Sequence, residues 1–139
     1  MRGVPNDPKR AHAERRLRDE KIAWLTTVRR DGQPQSSPVW FLWRDAEIVV
    51  YSRPKTQKVR NVRANPHVAV HLRDVDEGDD IVSIEGLAEI DEAYPQASAI
   101  PAYVKKYRAM ISALGMDPAG FAESYSTPIR IRPTKLRVE

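Results

Sequence analysis

Six stretches of the chain alternate or run together apolar residues with the short period of a strand, and four others space them as helices do. From Asp7-Pro8 to about Glu20 the pattern is helical and very polar, with Ala11, Ala13 and Leu17 as its few apolar points, and it reads as a surface helix. Ile22 to Val28 is a strand. Asp31-Gly32 then supplies the positive backbone angles of a tight hairpin turn, and Pro34 to Arg44 is the returning strand. A turn at Arg44-Asp45 leads to a strand over Glu47 to Ser52. His67 to Arg73 and Asp80 to Ile90 are further strands, joined by an acidic loop around Gly78. Ala97 to Leu114 reads as helix interrupted at Pro101, Asp117-Pro118 opens a short helical turn, and Thr127 to Val138 is the last strand. The apolar parity of that strand changes across Pro133, which predicts a bulge or bend there.

The strand over Pro34 to Arg44 is apolar on both faces, because Val39, Phe41 and Trp43 alternate with Trp40 and Leu42. One of those faces meets something beyond the strand's own barrel interior, and a partner subunit or a flat ligand would serve. Hairpins, one helix after the third strand and a late strand returning to the sheet predict a mainly β protein: a single antiparallel barrel domain over residues 1–139 with peripheral helices, residues 1–21 packing on it.

Between the third and fourth strands lies the segment that carries most chemistry, Tyr51-Ser52-Arg53-Pro54-Lys55-Thr56-Gln57-Lys58-Val59-Arg60-Asn61-Val62-Arg63-Ala64-Asn65-Pro66. Ser52 suits a cap, Pro54 the start of a helix, and Asn65-Pro66 its end. Val59 and Val62 give it a narrow apolar stripe for docking. Arg53, Lys55, Lys58, Arg60 and Arg63 face no acid in this window. A helix N-terminus already carries partial positive charge, so Lys55 and Lys58 in its first turns predict an anion between them, most simply a phosphate. Taken alone, the same residues also fit a solvated basic helix.

Composition narrows the choice. With 139 residues and no cysteine, the chain has the length for one core and lacks disulfides, thiolate metal sites and thiol nucleophiles. The first twenty-one residues are polar and the longest strongly apolar run is Val39 to Trp43, so neither a signal peptide nor a membrane span is expected, and a cytoplasmic location is. The net charge of +4 is segregated: the nine acids and no bases of Asp74 to Glu92 stand against basic segments at 9–30, 53–63 and 105–108. That asymmetry favours a local anion site and disfavours nucleic acid, whose phosphates the acidic stretch would repel.

Several constellations carry less than they promise. His67 and His71 share a strand face, but no third ligand is forced near them, so no metal is expected and the pair reads as hydrogen-bonded strand histidines. Asp76-Glu77 and Asp79-Asp80 read as solvated loop carboxylates. Ser36 and Ser37 lack a glycine elbow and a base, and no glycine-rich dinucleotide fingerprint is present. Of Trp24, Trp40 and Trp43, at least two are expected to be structural.

The ordered set Thr26-Thr27-Val28, Asp31-Gly32-Gln33-Pro34-Gln35, Ser37-Pro38-Val39-Trp40-Phe41, Tyr51-Ser52, Lys58, Arg60-Asn61-Val62, Asn65-Pro66 and Glu85-Gly86-Leu87-Ala88 resembles the split β-barrel proteins related to pyridoxamine 5′-phosphate oxidase. Within them it is most similar to the coenzyme F-420-dependent (deazaflavin) reductases of actinobacteria. The resemblance implies an antiparallel FMN-binding split barrel and a homodimer holding FMN or the deazaflavin at its interface. Lys58 with Thr56 matches the phosphate positions, with Ser52 beside them. Ser37, Pro38 and Val39 match the strand along which the ring lies, with Tyr51 and Trp40 as ring neighbours. Related members often carry arginine where Thr56 stands, so the grip is expected to draw on Arg53 or Lys55. The full expected set is Ser37, Pro38, Val39, Ser52, Arg53, Lys55, Thr56, Gln57, Lys58 and Arg60, with Arg60, Lys55 or the arginines of 15–18 as a track for an oligoglutamate tail. The implied activity is hydride transfer between coenzyme F-420 and an electron-poor small molecule. The alternatives are FMN-dependent oxidation or reduction on the same fold and non-catalytic flavin or tetrapyrrole binding. No catalytic residue is assigned.

Overall fold

The computed structural model describes residues 8–74 and 80–139; the acidic residues Asp76, Glu77 and Asp79, with Gly78 and Asp7, lie outside the described residues. The elements are α1 (Pro8–Asp19), β1 (Ile22–Val28), β2 (Pro34–Trp40), β3 (Leu42–Arg44), β4 (Glu47–Ser52), α2 (Gln57–Ala64), β5 (His67–His71), β6 (Val82–Ile90), α3 (Pro101–Ala113), α4 (Pro118–Ser124) and β7 (Thr127–Val138). A single 3₁₀ turn, Ala97–Ala99, precedes α3, whose first residue is Pro101, so the expected interruption is a true helix start.

All strands pair antiparallel in one seven-stranded sheet of order β2-β1-β5-β6-β7-β4-β3. The expected single strand over 34–44 is therefore two. Its halves β2 and β3 sit at opposite edges of the sheet with only Phe41 between them, and this crossing curls the sheet into a split barrel. The β1–β2 connection is also wider than a two-residue turn. Only Gly32 takes a positive φ (91°), while Asp31 pairs with Arg29 and accepts from the Gln33 N–H. In contrast, the β3–β4 turn is tight, with Asp45 and Ala46 both left-handed at φ 54° and 58°. The bulge expected near Pro133 is present. Glu85 pairs with Lys135 and Gly86 with Pro133, leaving Thr134 extra. A Cβ on Gly86 would stand 2.8 Å from the Arg132 carbonyl oxygen, so only glycine fits this approach.

Two apolar clusters follow from the pleat. Leu25, Val39, Phe41, Ile48, Val50, Val70, Ile84, Ile129 and Ile131 fill the barrel, closed by Ala13 and Leu17 of α1 and by Val59 and Val62 of α2. Leu42, Val49 and Tyr51 on the outer face pack against Ile100, Tyr103, Tyr107, Ile111 and Phe121. The second apolar face of the 34–44 segment is thus largely covered by this chain's own α3 and α4. The α1 helix is not simply a surface helix: buried Arg16 donates to the carbonyls of Arg73 and Asp80 and pairs with the carboxylates of Glu20 and Asp80.

Candidate functional site

Where β2 and β4 come closest, the α2 N-terminus and the ends of α3 and α4 enclose a cavity of about 420 Å³. Its basic end is built by the loop after β4. The helix starts three residues later than Pro54. Thr56 is its cap, with extended backbone angles and a hydroxyl that accepts from the Val59 N–H at 3.4 Å. Ser52 is not the cap. Buried at the strand end, its Oγ donates to the Arg53 carbonyl at 2.9 Å and lies 2.9 Å from Thr56 Oγ1. Only Lys58, at the second helical position, therefore stands in the first turn, and Lys55 precedes the helix.

Lys58 is half-buried and lines the cavity, and among the described residues no carboxylate pairs with it. Desolvation lowers its ammonium pKa below the ordinary lysine value. Arg53 also lines the cavity. Its guanidinium lies 5.2 Å from the Tyr125 ring centroid and likewise has no acid partner among the described residues. The first-turn amides of α2 add their unsatisfied donors to this end.

The other end is aromatic. Trp40 stacks between Tyr107 (5.0 Å) and Phe121 (5.3 Å), and Phe121 stacks on Tyr125 (4.5 Å). Pro38, Val39, Val50, Tyr51 and Leu114 complete the lining. Gly115 at φ 75° ends α3, its N–H bonding the Ser112 carbonyl and the Met116 N–H reaching back to Ile111. This closure leaves Leu114 52% exposed at the rim. Tyr51 donates its hydroxyl to the Pro95 carbonyl at 2.6 Å, and burial raises its pKa, so it is neutral and occupied.

The cavity brings together six of the ten expected residues: Pro38, Val39, Ser52, Arg53, Thr56 and Lys58. Ser37, Lys55, Gln57 and Arg60 are not among its lining. Gln57 bonds Asn61 and Arg60, and Arg60 bonds the Lys55 carbonyl, so these groups cover the outside of α2. Arg16 is withdrawn from any basic track by its own partners. Trp40 and Tyr51, expected near the ring, do line the cavity. Phe121, Tyr125 and Leu114 were not expected; the four-residue spacing of Phe121 and Tyr125 on one helix face is the signal that points to them. Buried Asn61 was also missed. It donates to Thr27 and Gln35, fixing α2 against the β1–β2 hairpin.

His67 and His71 are both exposed, His71 lying parallel to Trp24 at 6.5 Å, and among the described residues no cluster of three metal-ligating side chains exists. No described helix is long and apolar enough to cross a membrane.

A family model for pyridoxamine 5′-phosphate oxidase matches residues 10–138. The chain belongs to the pyridoxamine 5′-phosphate oxidase family. Among solved structures, this family member is similar to an F420 reductase at 31% identity and TM-score 0.71, covering 96% of this chain and 98% of that one. A conserved hypothetical protein from Mycobacterium tuberculosis (23%, TM-score 0.76, 99% of this chain and 87% of that one) shares the fold. So does the heme storage protein HutZ from Vibrio cholerae (17%, TM-score 0.64, 97% and 95%). No curated protein sequence matches significantly.

Proposed function

We propose that this protein is an oxidoreductase that holds coenzyme F-420 in the cavity between β2, β4 and α2 and passes hydride to an electron-poor small molecule. The observation that carries the proposal is Lys58: a half-buried cation without an acid partner among the described residues, at a helix N-terminus that opens into an aromatic-lined cavity. Such a cation is costly to desolvate unless an anion meets it. The donor set fits a phosphorylated planar ring. Lys58 and Arg53 supply charge, Thr56 supplies a hydroxyl with Ser52 held behind it, and Pro38, Val39 and Trp40 supply a flat apolar wall.

When bound, a deazaflavin supplies a two-electron hydride at its ring C5. The chain's own residues anchor the phosphate, orient the ring along β2 and exclude water with the Trp40, Phe121 and Tyr125 stack. Among the described residues no Asp, Glu or His lines the cavity, and no carboxylate or imidazole proton donor is assigned. Similarity to an F420 reductase over nearly the whole chain supports the deazaflavin, and the family match supports FMN as the second reading.

We further propose a cytoplasmic homodimer. Trp24 (40% exposed) and Ile22 (37%) lie on the outer face of β1, and Trp24 pairs in register with Pro38 of the cavity, so a second copy seated there would adjoin the site. Trp24→Glu is expected to give a monomer in analytical ultracentrifugation; an unchanged mass would remove this face from the interface.

The test is an equilibrium fluorescence titration of ligand-free protein with coenzyme F-420 and, separately, with FMN, followed by turnover with a panel of acceptors. Tighter binding of the deazaflavin and hydride transfer from its reduced form are expected. Preference for FMN would favour the second reading, and binding without turnover a carrier.

A further inference from the structure

Phe41 is the single residue between β2 and β3, and it is fully buried. Having left one ladder and not yet joined the next, its backbone needs partners from elsewhere. They come from α3. The Phe41 N–H donates to the Tyr107 hydroxyl oxygen at 2.8 Å. The Phe41 carbonyl accepts from Lys106 Nζ at 2.9 Å and lies 2.9 Å from the Tyr107 hydroxyl, which also reaches the Lys21 carbonyl at 2.7 Å. Lys106 Nζ sits 4.0 Å from the Phe41 ring centroid. The residue before this crossing is Trp40, whose ring lies flat on Tyr107 with 5° between the planes and forms a wall of the cavity.

We propose that Tyr107 and Lys106 are positioning residues of the cavity, pinning the backbone at Phe41 so that the Trp40 ring stays in the stack that forms its wall. Neither residue lines the cavity; both act through Trp40. The ring of Tyr107 supplies the surface on which the indole rests, and its hydroxyl fixes the peptide from which the indole springs. Without the hydroxyl, the buried Phe41 N–H loses the acceptor it has in this structure, and the chain relieves that only by moving the crossing. The ligand consequence rests on the cavity being the cofactor site, as proposed above; the placement of Trp40 does not.

The experiment uses the full chain with Trp24 and Trp43 replaced by Phe, so that Trp40 is the sole tryptophan. Tyr107→Phe keeps the stacked ring and removes only the hydroxyl. Ile111→Val, from the same helix and the same buried cluster, is the control for general loosening. In ligand-free protein, Tyr107→Phe is expected to weaken the near-ultraviolet circular dichroism of Trp40 and to raise its acrylamide quenching, while Ile111→Val leaves both unchanged. The Kd for whichever of coenzyme F-420 and FMN binds should rise about fivefold or more in Tyr107→Phe, the scale of one lost buried hydrogen bond, and stay constant in the control. Lys106→Met should show the same signature more weakly and provides the test if Tyr107→Phe does not fold. An unchanged Trp40 signal in the folded variants, or equal changes in variant and control, would overturn the proposal. If neither ligand binds the parent protein, the cofactor reading fails while the ligand-free Trp40 result still decides the positioning role.

Discussion

Arg16 and Lys58 are both cations drawn partly out of water, and they are handled in opposite ways. Arg16 is met by the carboxylates of Glu20 and Asp80 and by two backbone carbonyls, so that α1 is riveted to the segments before β6 and after β5. Arg130 repeats the arrangement across β7, pairing with Glu47 and Asp91. Lys58 and Arg53 have no such partners among the described residues and open into a cavity. Net charge and basic runs therefore say little about where an anion binds; what matters is which cations the fold leaves without a counter-charge. Lys106 is intermediate, a half-buried cation met by backbone carbonyls and by the Phe41 ring and by no paired carboxylate among the described residues.

The largest effect expected from this contrast is on stability. Arg16→Ala removes a buried cation's bonds to two backbone carbonyls and leaves Glu20 with Arg73 and Asp80 with His12 as their remaining partners, and it should cost about 3 kcal/mol of unfolding free energy in a urea titration, with cofactor affinity unchanged. An equal loss of affinity would mean that the α1 arginines belong to the site after all. Lys58→Met should do the reverse. Affinity for a phosphorylated flavin or deazaflavin should fall by about 1.5–3 kcal/mol, the worth of one charge-assisted contact. Stability should hold or rise at neutral pH: a lysine whose folded pKa is depressed costs stability while protonated, and the substitution removes that cost.

Lys106 gives a smaller effect with a distinctive pH profile. Burial pushes its pKa down to about 8, so above that pH the folded protein holds fewer protons than the unfolded chain. Its contribution thus makes stability rise between about pH 8 and the ordinary lysine value of about 10.4. Lys106→Met should flatten that rise in denaturant titrations across the window, and a rise that persists would assign it to another group. The smallest effect concerns Tyr103, whose fully buried hydroxyl finds no hydrogen-bond partner among the described residues. Tyr103→Phe should leave the fold intact and add up to about 1 kcal/mol, read as a higher melting temperature.

The strand and helix order was readable because hydropathy periods report local pleat and pitch. The double apolar face at Val39 to Trp43 was readable too, but the break at Phe41 was not. It depends on Tyr107, 66 residues away, supplying bonds that a ladder would otherwise supply. The helix begins at Gln57 with Thr56 as its cap and not at Pro54, and the sequence does not choose between the two because both proline and threonine are acceptable near a helix N-terminus. Buried Arg16 and Asn61 look like surface residues in any hydropathy pattern, since their burial follows from partners distant in sequence. The anion end of the site was legible in part: the window 53–63 shows five cations and no acid, but only Arg53 and Lys58 line the cavity, and Arg63 pairs with Glu92 far along the chain. The aromatic end was not, because Leu114, Phe121 and Tyr125 reach the cavity only through the packing of α3 and α4.

The central claim is that Lys58 holds a phosphate. Its most direct test is a binding cycle in which wild type and Lys58→Met are each titrated with FMN and riboflavin, or with coenzyme F-420 and its phosphate-free deazariboflavin, under one set of salt conditions. The phosphorylated ligand's advantage in wild type should largely disappear in the variant, while affinity for the phosphate-free ligand stays the same. An advantage that survives the substitution undiminished would contradict it.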